Sequence, residues 1–242
     1  MCEQLDYYCH FVNMAIANGK KTTHYDTIYF RHLSSVLRDL PSQHLFKEPI
    51  IQIYYAAWQM LVNWKTDDGT LYKQYKNLLL TTYQKNKKLK NFEILSPYVQ
   101  QNLFGYAQNY GTWKSKTTEN AKLKEKYALE QLDLYEIQLN QAAIKEIQPN
   151  LMRNIMLRMK DYIKDYERLE TFVKMYVGRV EKKYSEAVSN YCFALIAFEK
   201  YDYDTVLKLL VTEKQIIRFP NEYFKLDAYR YHYRVRNQLS DI

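Results

Sequence analysis

The sequence contains few of the residues that interrupt helices. Its 242 residues include only five Gly and five Pro. An all-β sandwich or barrel needs a turn about every ten residues, so this scarcity argues against such folds. Hydrophobic residues make up 47% of the chain, which is ample material for a core. These features together predict long helices packed around an apolar interior.

Cysteines and long apolar runs are also scarce. The chain has three cysteines, an odd number, which argues against a disulfide framework. Cys2 and Cys9 would lie about 10 Å apart along one helix, too far apart to bridge. No apolar run approaches the ~20 residues of a membrane-spanning helix, and Glu3 and Asp6 stand where a secretory signal would be basic. We therefore expect a protein of the cytoplasm without a membrane span.

Motifs that carry chemistry are missing as well. The five glycines are scattered, so no phosphate-binding loop is present, and no GxSxG elbow appears. Cys192 follows Tyr191 in an apolar segment and is interpreted as a small buried hydrophobic residue. The cysteines form no CxxC pair and the histidines form no HExxH motif: His10, His24, His32, His44 and His232. We predict no catalytic residue, no metal, no cofactor and no enzymatic activity.

Hydrophobic periodicity predicts about eleven helices and no strand. The second helix is expected to run through Ile28 and Leu37 and to end at Pro41. The segment 229–236, YRYHYRVR, is the exception, because its aromatic and basic residues alternate with the period of a strand. We still predict a helix there, since a lone strand in a helical protein would leave its backbone groups unpaired.

The helical pattern repeats along the chain. Two Asp-Tyr pairs, whose tyrosines stand at positions 166 and 203, lie 37 residues apart. Each pair is followed by apolar residues at the same offsets. A period of this length with one helical hairpin per unit is typical of an α-solenoid. The aligned residues are Asp165, Tyr166, Leu169, Phe172 and Val173 with Asp202, Tyr203, Val206, Leu209 and Leu210.

The segment NYCFALIAFEKYDYDTVLKLL resembles a tetratricopeptide repeat, with a small residue at Ala194 and a turn aromatic at Tyr203. Larger residues stand at other small positions of the repeat, namely Leu157, Leu169 and Val206, which implies looser packing. Together with LSPYVQQNLFGYAQNY, NLMRNIMLRMKDY and YFKLDA, it looks like a helical-repeat family of Bacteroidota that has no assigned activity. This resemblance covers most of residues 50–230 and implies a fold without supplying chemistry.

These observations predict an all-α protein, a tetratricopeptide-like α-α superhelix of stacked antiparallel hairpins. We expect one α-solenoid domain over residues 1–242. A candidate subdivision near 90–96 would separate N-terminal helices, 1–90, from the repeats, 96–242.

Aromatic residues form 16% of the chain, with 25 tyrosines, and the net charge is +8. Our first hypothesis is a non-catalytic scaffold that binds a protein or peptide. The alternative is a nucleic-acid-binding helical-repeat module that uses the basic C-terminal helix, although we expect no specific nucleic-acid binding. The candidate partner-binding residues are Tyr229, Arg230, Tyr233 and Arg234. The seam expected to dock this helix runs through Tyr223, Leu226, Tyr229 or Arg230, and Tyr233.

Overall fold

The computed structural model describes residues 2–17, 35, 47–88, 96–141, 144–210 and 218–240. These residues contain ten α-helices, against about eleven predicted, and the predicted helix from Ile28 to Leu37 lies outside them apart from residue 35. No strand forms within the described ranges, where Ile147 and Val180 make an isolated bridge, so the all-α prediction is confirmed. The helices are α1 (Cys2–Ala17), α2 (Pro49–Val62), α3 (Thr70–Lys88), α4 (Pro97–Thr117), α5 (Ala121–Leu139), α6 (Pro149–Met159), α7 (Tyr166–Tyr176), α8 (Lys182–Glu199), α9 (Tyr203–Leu210) and α10 (Glu222–Ser240).

The chain forms two compact units, Met1–Thr117 and Thr118–Ile242. The first unit contains α1 to α4, and α4 packs on each of the other three helices. The second unit contains α5 to α10. The subdivision predicted near 90–96 falls, except for Ser96, outside the described residues.

The first unit turns sharply between α2 and α3, at the segment TDDGT of residues 66–70. Gly69 has a positive φ of 101°, a conformation that favours glycine. The buried Asp67 carboxylate accepts the backbone N–H groups of Leu71 and Tyr72, which satisfies donors at the start of α3. It also accepts a hydrogen bond from the Tyr110 hydroxyl at 2.5 Å. The turn and α4 are therefore joined through one carboxylate.

A second carboxylate organises the same unit. Asp6 on α1 accepts hydrogen bonds from the hydroxyls of Tyr54 at 2.8 Å and Tyr106 at 3.2 Å. Both tyrosine rings are buried, so each ring fills the core while its hydroxyl has a charged acceptor. Burial is the main reason why the pKa of Tyr106 is raised above its ordinary value.

Helix α8 is the centre of the second unit, with α6, α7, α9 and α10 packed on it. Its buried residues include Ala194 and Cys192, both without exposed surface. Cys192 is therefore buried as predicted, and burial raises the pKa of its thiol. The small side chain at Ala194 leaves room for a neighbouring helix to approach.

The two aligned Asp-Tyr pairs begin helices in the same way. The Asp165 carboxylate accepts the N–H of Arg168 at 3.0 Å, and the Asp202 carboxylate accepts the N–H of Thr205 at 3.1 Å. Both are N-caps, because an oxygen three residues earlier satisfies a free helix donor. The next residue starts α7 in one case and α9 in the other. The local correspondence follows the alignment, whereas the stacking of superimposable hairpins stays a prediction.

Helix α10 shows one confirmed and one wrong prediction. The alternating segment 229–236 is helical, as expected. The docking seam is wrong, because the buried residues lie on another face: Phe224, Ala228, Tyr231 and Val235. These positions follow each other at intervals of four, three and four residues, which makes a continuous helical stripe.

Candidate interaction surface

A buried ion pair lies on the side of α10 that packs inward. Asp227 accepts hydrogen bonds from Arg153 Nε at 2.7 Å and from the Tyr191 hydroxyl at 2.8 Å. Arg153 belongs to α6 and Tyr191 to α8, so one carboxylate joins three helices. Burial, followed by the nearby Asp227 charge, raises the pKa of Tyr191 above its usual value. Turning α10 away would leave the Arg153 charge without its partner, which is costly in a largely buried place.

A buried lysine supports the other half of the docked face. The Lys160 ammonium binds Asp161 and also Glu199 at 3.0 Å, and it lies 5.7 Å from the centre of the Tyr231 ring. Burial lowers the pKa of Lys160, but the hydrogen bonds and charges of these partners outweigh it, so the pKa lies above its ordinary value. Tyr231 thus packs against a fixed cation.

The opposite side of α10 carries large apolar groups in solvent. Tyr223, Leu226, Tyr229 and Tyr233 are exposed by 65%, 63%, 56% and 66%. Together with the exposed Arg230, they follow the helical repeat along one side, which we call the tyrosine face. A single exposed hydrophobic residue is ordinary in a soluble protein. Four on one face of one helix form a patch of the kind that marks a binding surface.

Arg234 lies at the edge of the tyrosine face and packs on aromatic rings. Its guanidinium carbon is 4.8 Å from the centre of the Phe198 ring. Tyr203 lies 6.0 Å from Phe198, and Tyr201 lies edge-on to Tyr203 at 6.3 Å. We call Phe198, Tyr201 and Tyr203 the aromatic turn, because they join α8 to α9. The apolar surface therefore continues from α10 past Arg234 onto this turn.

Tyr201 is the one described residue other than glycine with a positive φ, 62°. The Asp202 N–H bonds the Ala197 carbonyl and the Tyr201 N–H bonds the Phe198 carbonyl. These two bonds form a Schellman motif, whose left-handed position is usually glycine. A tyrosine there is strained by roughly 1–2 kcal/mol. Because its ring is 77% exposed, little burial offsets this strain. Such an outlier points to a functional use of the side chain.

The predicted partner-binding residues divide between these two features. Tyr229, Arg230 and Tyr233 lie together on the tyrosine face, while Arg234 lies between that face and the aromatic turn. The sequence pattern predicts Tyr203 only as a turn residue and predicts no role for Tyr201. The one signal for Tyr201 is that the helix before it ends without a glycine.

In the ranges that the structure describes, no three His, Cys, Asp or Glu side chains are grouped so that they could hold a metal ion. None of the described helices has the length and apolar character needed to cross a membrane.

Comparison of the chain with protein-family models, with curated proteins and with solved structures found no match.

Proposed function

We propose that this chain is a non-catalytic protein-interaction module of the cytoplasm that binds a protein or peptide through the tyrosine face of α10. The carrying observation is that α10 has two apolar faces. Only one of them packs in the second unit, where Asp227 anchors it, while the tyrosine face is exposed.

The size of the tyrosine face suits a short partner segment. Aromatic side chains bury about 150–250 Å² each, so three half-exposed tyrosines and Leu226 offer on the order of 450 Å². A stable interface between two proteins buries about 800 Å² on each side. The face alone therefore supports a weak or transient complex, and the aromatic turn adds to it when the partner extends past Arg234.

We also propose that the second unit is built of tetratricopeptide-like hairpins, as the resemblance to that repeat implies. The matching Asp165 and Asp202 caps, 37 positions apart, support this arrangement. Ala194, fully buried on the central helix, supports it as well. In such an arrangement α10 follows the last hairpin and covers one of its sides.

The alternative function is nucleic-acid binding. Exposed tyrosines beside arginine resemble the stacking surfaces of single-strand-binding proteins. Two exposed arginines one turn apart provide few phosphate contacts, so binding by them would weaken steeply as salt rises. We therefore keep the protein partner as the main proposal.

A peptide-display selection tests the proposal. The full chain is screened against a library of helical peptides, and enriched peptides are titrated by fluorescence anisotropy at about 150 mM salt. The test variant is Tyr229→Ser with Tyr233→Ser. The control is Tyr98→Ser, which removes a ring that is also 66% exposed but lies on α4.

We expect peptides with Kd in the micromolar range, about 1–100 μM, whose binding is lost in the test variant and kept in the control. The proposal is contradicted if no peptide is enriched, or if the enriched peptides bind the test variant as tightly as the wild type. Sub-micromolar binding of single-stranded RNA or DNA that is lost in Arg230→Glu with Arg234→Glu would favour the alternative.

A further inference from the structure

Arg230 and Arg234 differ from the other arginines of the second unit. Neither makes a hydrogen bond or ion pair within the described ranges, although Arg234 stacks on Phe198. Five other arginine side chains each bind an oxygen of the same unit: Arg153 with Asp227, Arg158 with Tyr135, Arg168 with Glu136, Arg179 with the Ile144 carbonyl, and Arg218 with Glu186. The unit thus leaves two guanidinium groups beside its exposed apolar face.

Their placement is suited to an anion. Residues four apart on a helix are neighbours, so two positive charges one turn apart repel each other mildly until an anion lies between them. A guanidinium group binds a carboxylate through two parallel hydrogen bonds. Stacking on Phe198 restrains Arg234, which reduces the side-chain entropy lost on binding.

The tyrosine face is also electrically uneven along its length. At its N-terminal end, Glu222 pairs with Lys225 at 2.7 Å, which leaves that end close to neutral. At its C-terminal end, Arg230 and Arg234 leave an excess of positive charge. A nucleic-acid strand carries a negative charge at every phosphate and would require cations along the whole face. An amphipathic helix with acidic residues at one end matches both halves.

We infer that the partner is an amphipathic helix whose apolar stripe packs on Tyr223, Leu226 and Tyr229, and whose terminal Asp or Glu side chains bind Arg230 and Arg234. This inference rests on the proposed function. It adds the chemical class of the partner and the direction of its charge along α10.

A second copy of this chain fits the face less well. In a parallel pair of α10 helices the arginines would meet each other. In an antiparallel pair they would meet Glu222, which already binds Lys225. The exposed area, on the order of 450 Å², is also below the ~800 Å² per partner of a standard interface.

The test uses a library of amphipathic helices with randomised charge at both ends. The probes are a fixed apolar stripe flanked by Asp, Glu, Lys, Arg, Gln or Ser, selected on the full chain. The test variant is Arg230→Glu with Arg234→Glu. The control is Lys182→Glu with Lys183→Glu, which changes the charge equally at the exposed start of α8, where acidic residues suit the helix dipole. Circular dichroism and thermal unfolding verify that each variant is folded.

We expect enrichment of acidic residues at one end of the selected helices. The charge-reversed variant should bind these peptides about tenfold or more weakly and should prefer lysine at the same end, while the control binds as the wild type does.

Three results overturn the inference. First, the enriched helices show no acidic bias, or their affinity is unchanged in Arg230→Glu with Arg234→Glu although it is lost in Tyr229→Ser with Tyr233→Ser. Either outcome refutes the partner class and leaves the proposed function standing. If no peptide binds in a way that depends on the tyrosine face, both the partner class and the proposed function are refuted. Self-association in sedimentation that is lost in Tyr229→Ser with Tyr233→Ser would assign the face to a second copy instead.

Discussion

The two faces of α10 are built from similar residues, but one is buried in the second unit and the other is exposed to solvent. Phe224, Tyr231 and Val235 pack in the second unit, whereas Tyr229 and Tyr233, on the same helix, are more than half exposed. Hydrophobicity alone does not separate the two stripes. The difference is that Asp227, at the border of the packed face, reaches Arg153 and Tyr191. We therefore expect this buried polar contact to determine which aromatic residues of α10 become core.

The first unit uses its tyrosines as the packed face of α10 does. Tyr54, Tyr106 and Tyr110 are buried, and each hydroxyl binds a carboxylate of Asp6 or Asp67. On the tyrosine face, Tyr229 and Tyr233 make no such hydrogen bond to a described residue, and the exposed Tyr223 ring lies 5.7 Å from the Arg153 guanidinium. High tyrosine content thus serves two purposes in this chain, core formation and an exposed apolar surface.

The largest difference between the faces should appear on truncation of a packed ring. Phe224 is fully buried and lies 4.8 Å from the Tyr191 ring, so Phe224→Ala should lower the free energy of unfolding by about 3–5 kcal/mol. Tyr229→Ala should change it by less than about 0.5 kcal/mol. Urea unfolding followed by circular dichroism measures both. Equal losses would mean that both faces are packed.

Removal of the polar anchor should have the next largest effect. Asp227→Ala leaves Arg153 without its acceptor in a largely buried site and should cost about 3 kcal/mol. Glu222→Ala, which removes an exposed carboxylate from the same helix, should cost under about 0.5 kcal/mol. The same unfolding assay applies. A loss below about 1 kcal/mol for Asp227→Ala would show that the carboxylate does not set the rotation of α10.

Overpacking of the central helix should have a smaller effect. Ala194 is fully buried, so Ala194→Leu should destabilise the second unit by about 1–3 kcal/mol. Ala121→Leu makes the same change at an exposed position of α5 and serves as the control. An unchanged melting temperature for Ala194→Leu would mean that no neighbouring helix approaches closely there.

Replacement of Tyr201 tests whether its strained ring serves binding rather than folding. Glycine accepts the positive φ without strain, so Tyr201→Gly should raise the free energy of unfolding by about 0.5–1 kcal/mol. The same variant should weaken binding of peptides that extend past Arg234. Lys200→Gly, at a φ of −83°, should instead be destabilising. A loss of stability in Tyr201→Gly would show that the ring contributes to packing.

The smallest effect on stability is expected from the exposed rings themselves. Tyr229→Ser with Tyr233→Ser should shift the free energy of unfolding by no more than about 0.5 kcal/mol. Chemical denaturation of this variant beside the wild type measures the shift. Clear destabilisation would mean that the tyrosine face contributes to the folded core.

The sequence predicts the helical class, the helix over 229–236 and the buried Cys192, because each depends on local pattern and composition. The rotation of α10 depends on contacts that pattern does not reveal. Asp227 binds residues 74 and 36 positions earlier in the chain. The strain at Tyr201 could not be predicted from the sequence either. A left-handed position at a helix end is usually predicted from a glycine, and the sequence has no glycine there.

Hydroxyl-radical footprinting of α10 tests most directly whether one face is packed and the other binds a partner. In the free protein, Tyr229 and Tyr233 should be modified readily and Tyr231, which is 4% exposed, should be protected. Addition of a saturating selected peptide should protect Tyr229 and Tyr233 and leave Tyr231 unchanged. Equal protection of all three tyrosines in the free protein, or no protection by a bound peptide, would contradict this account.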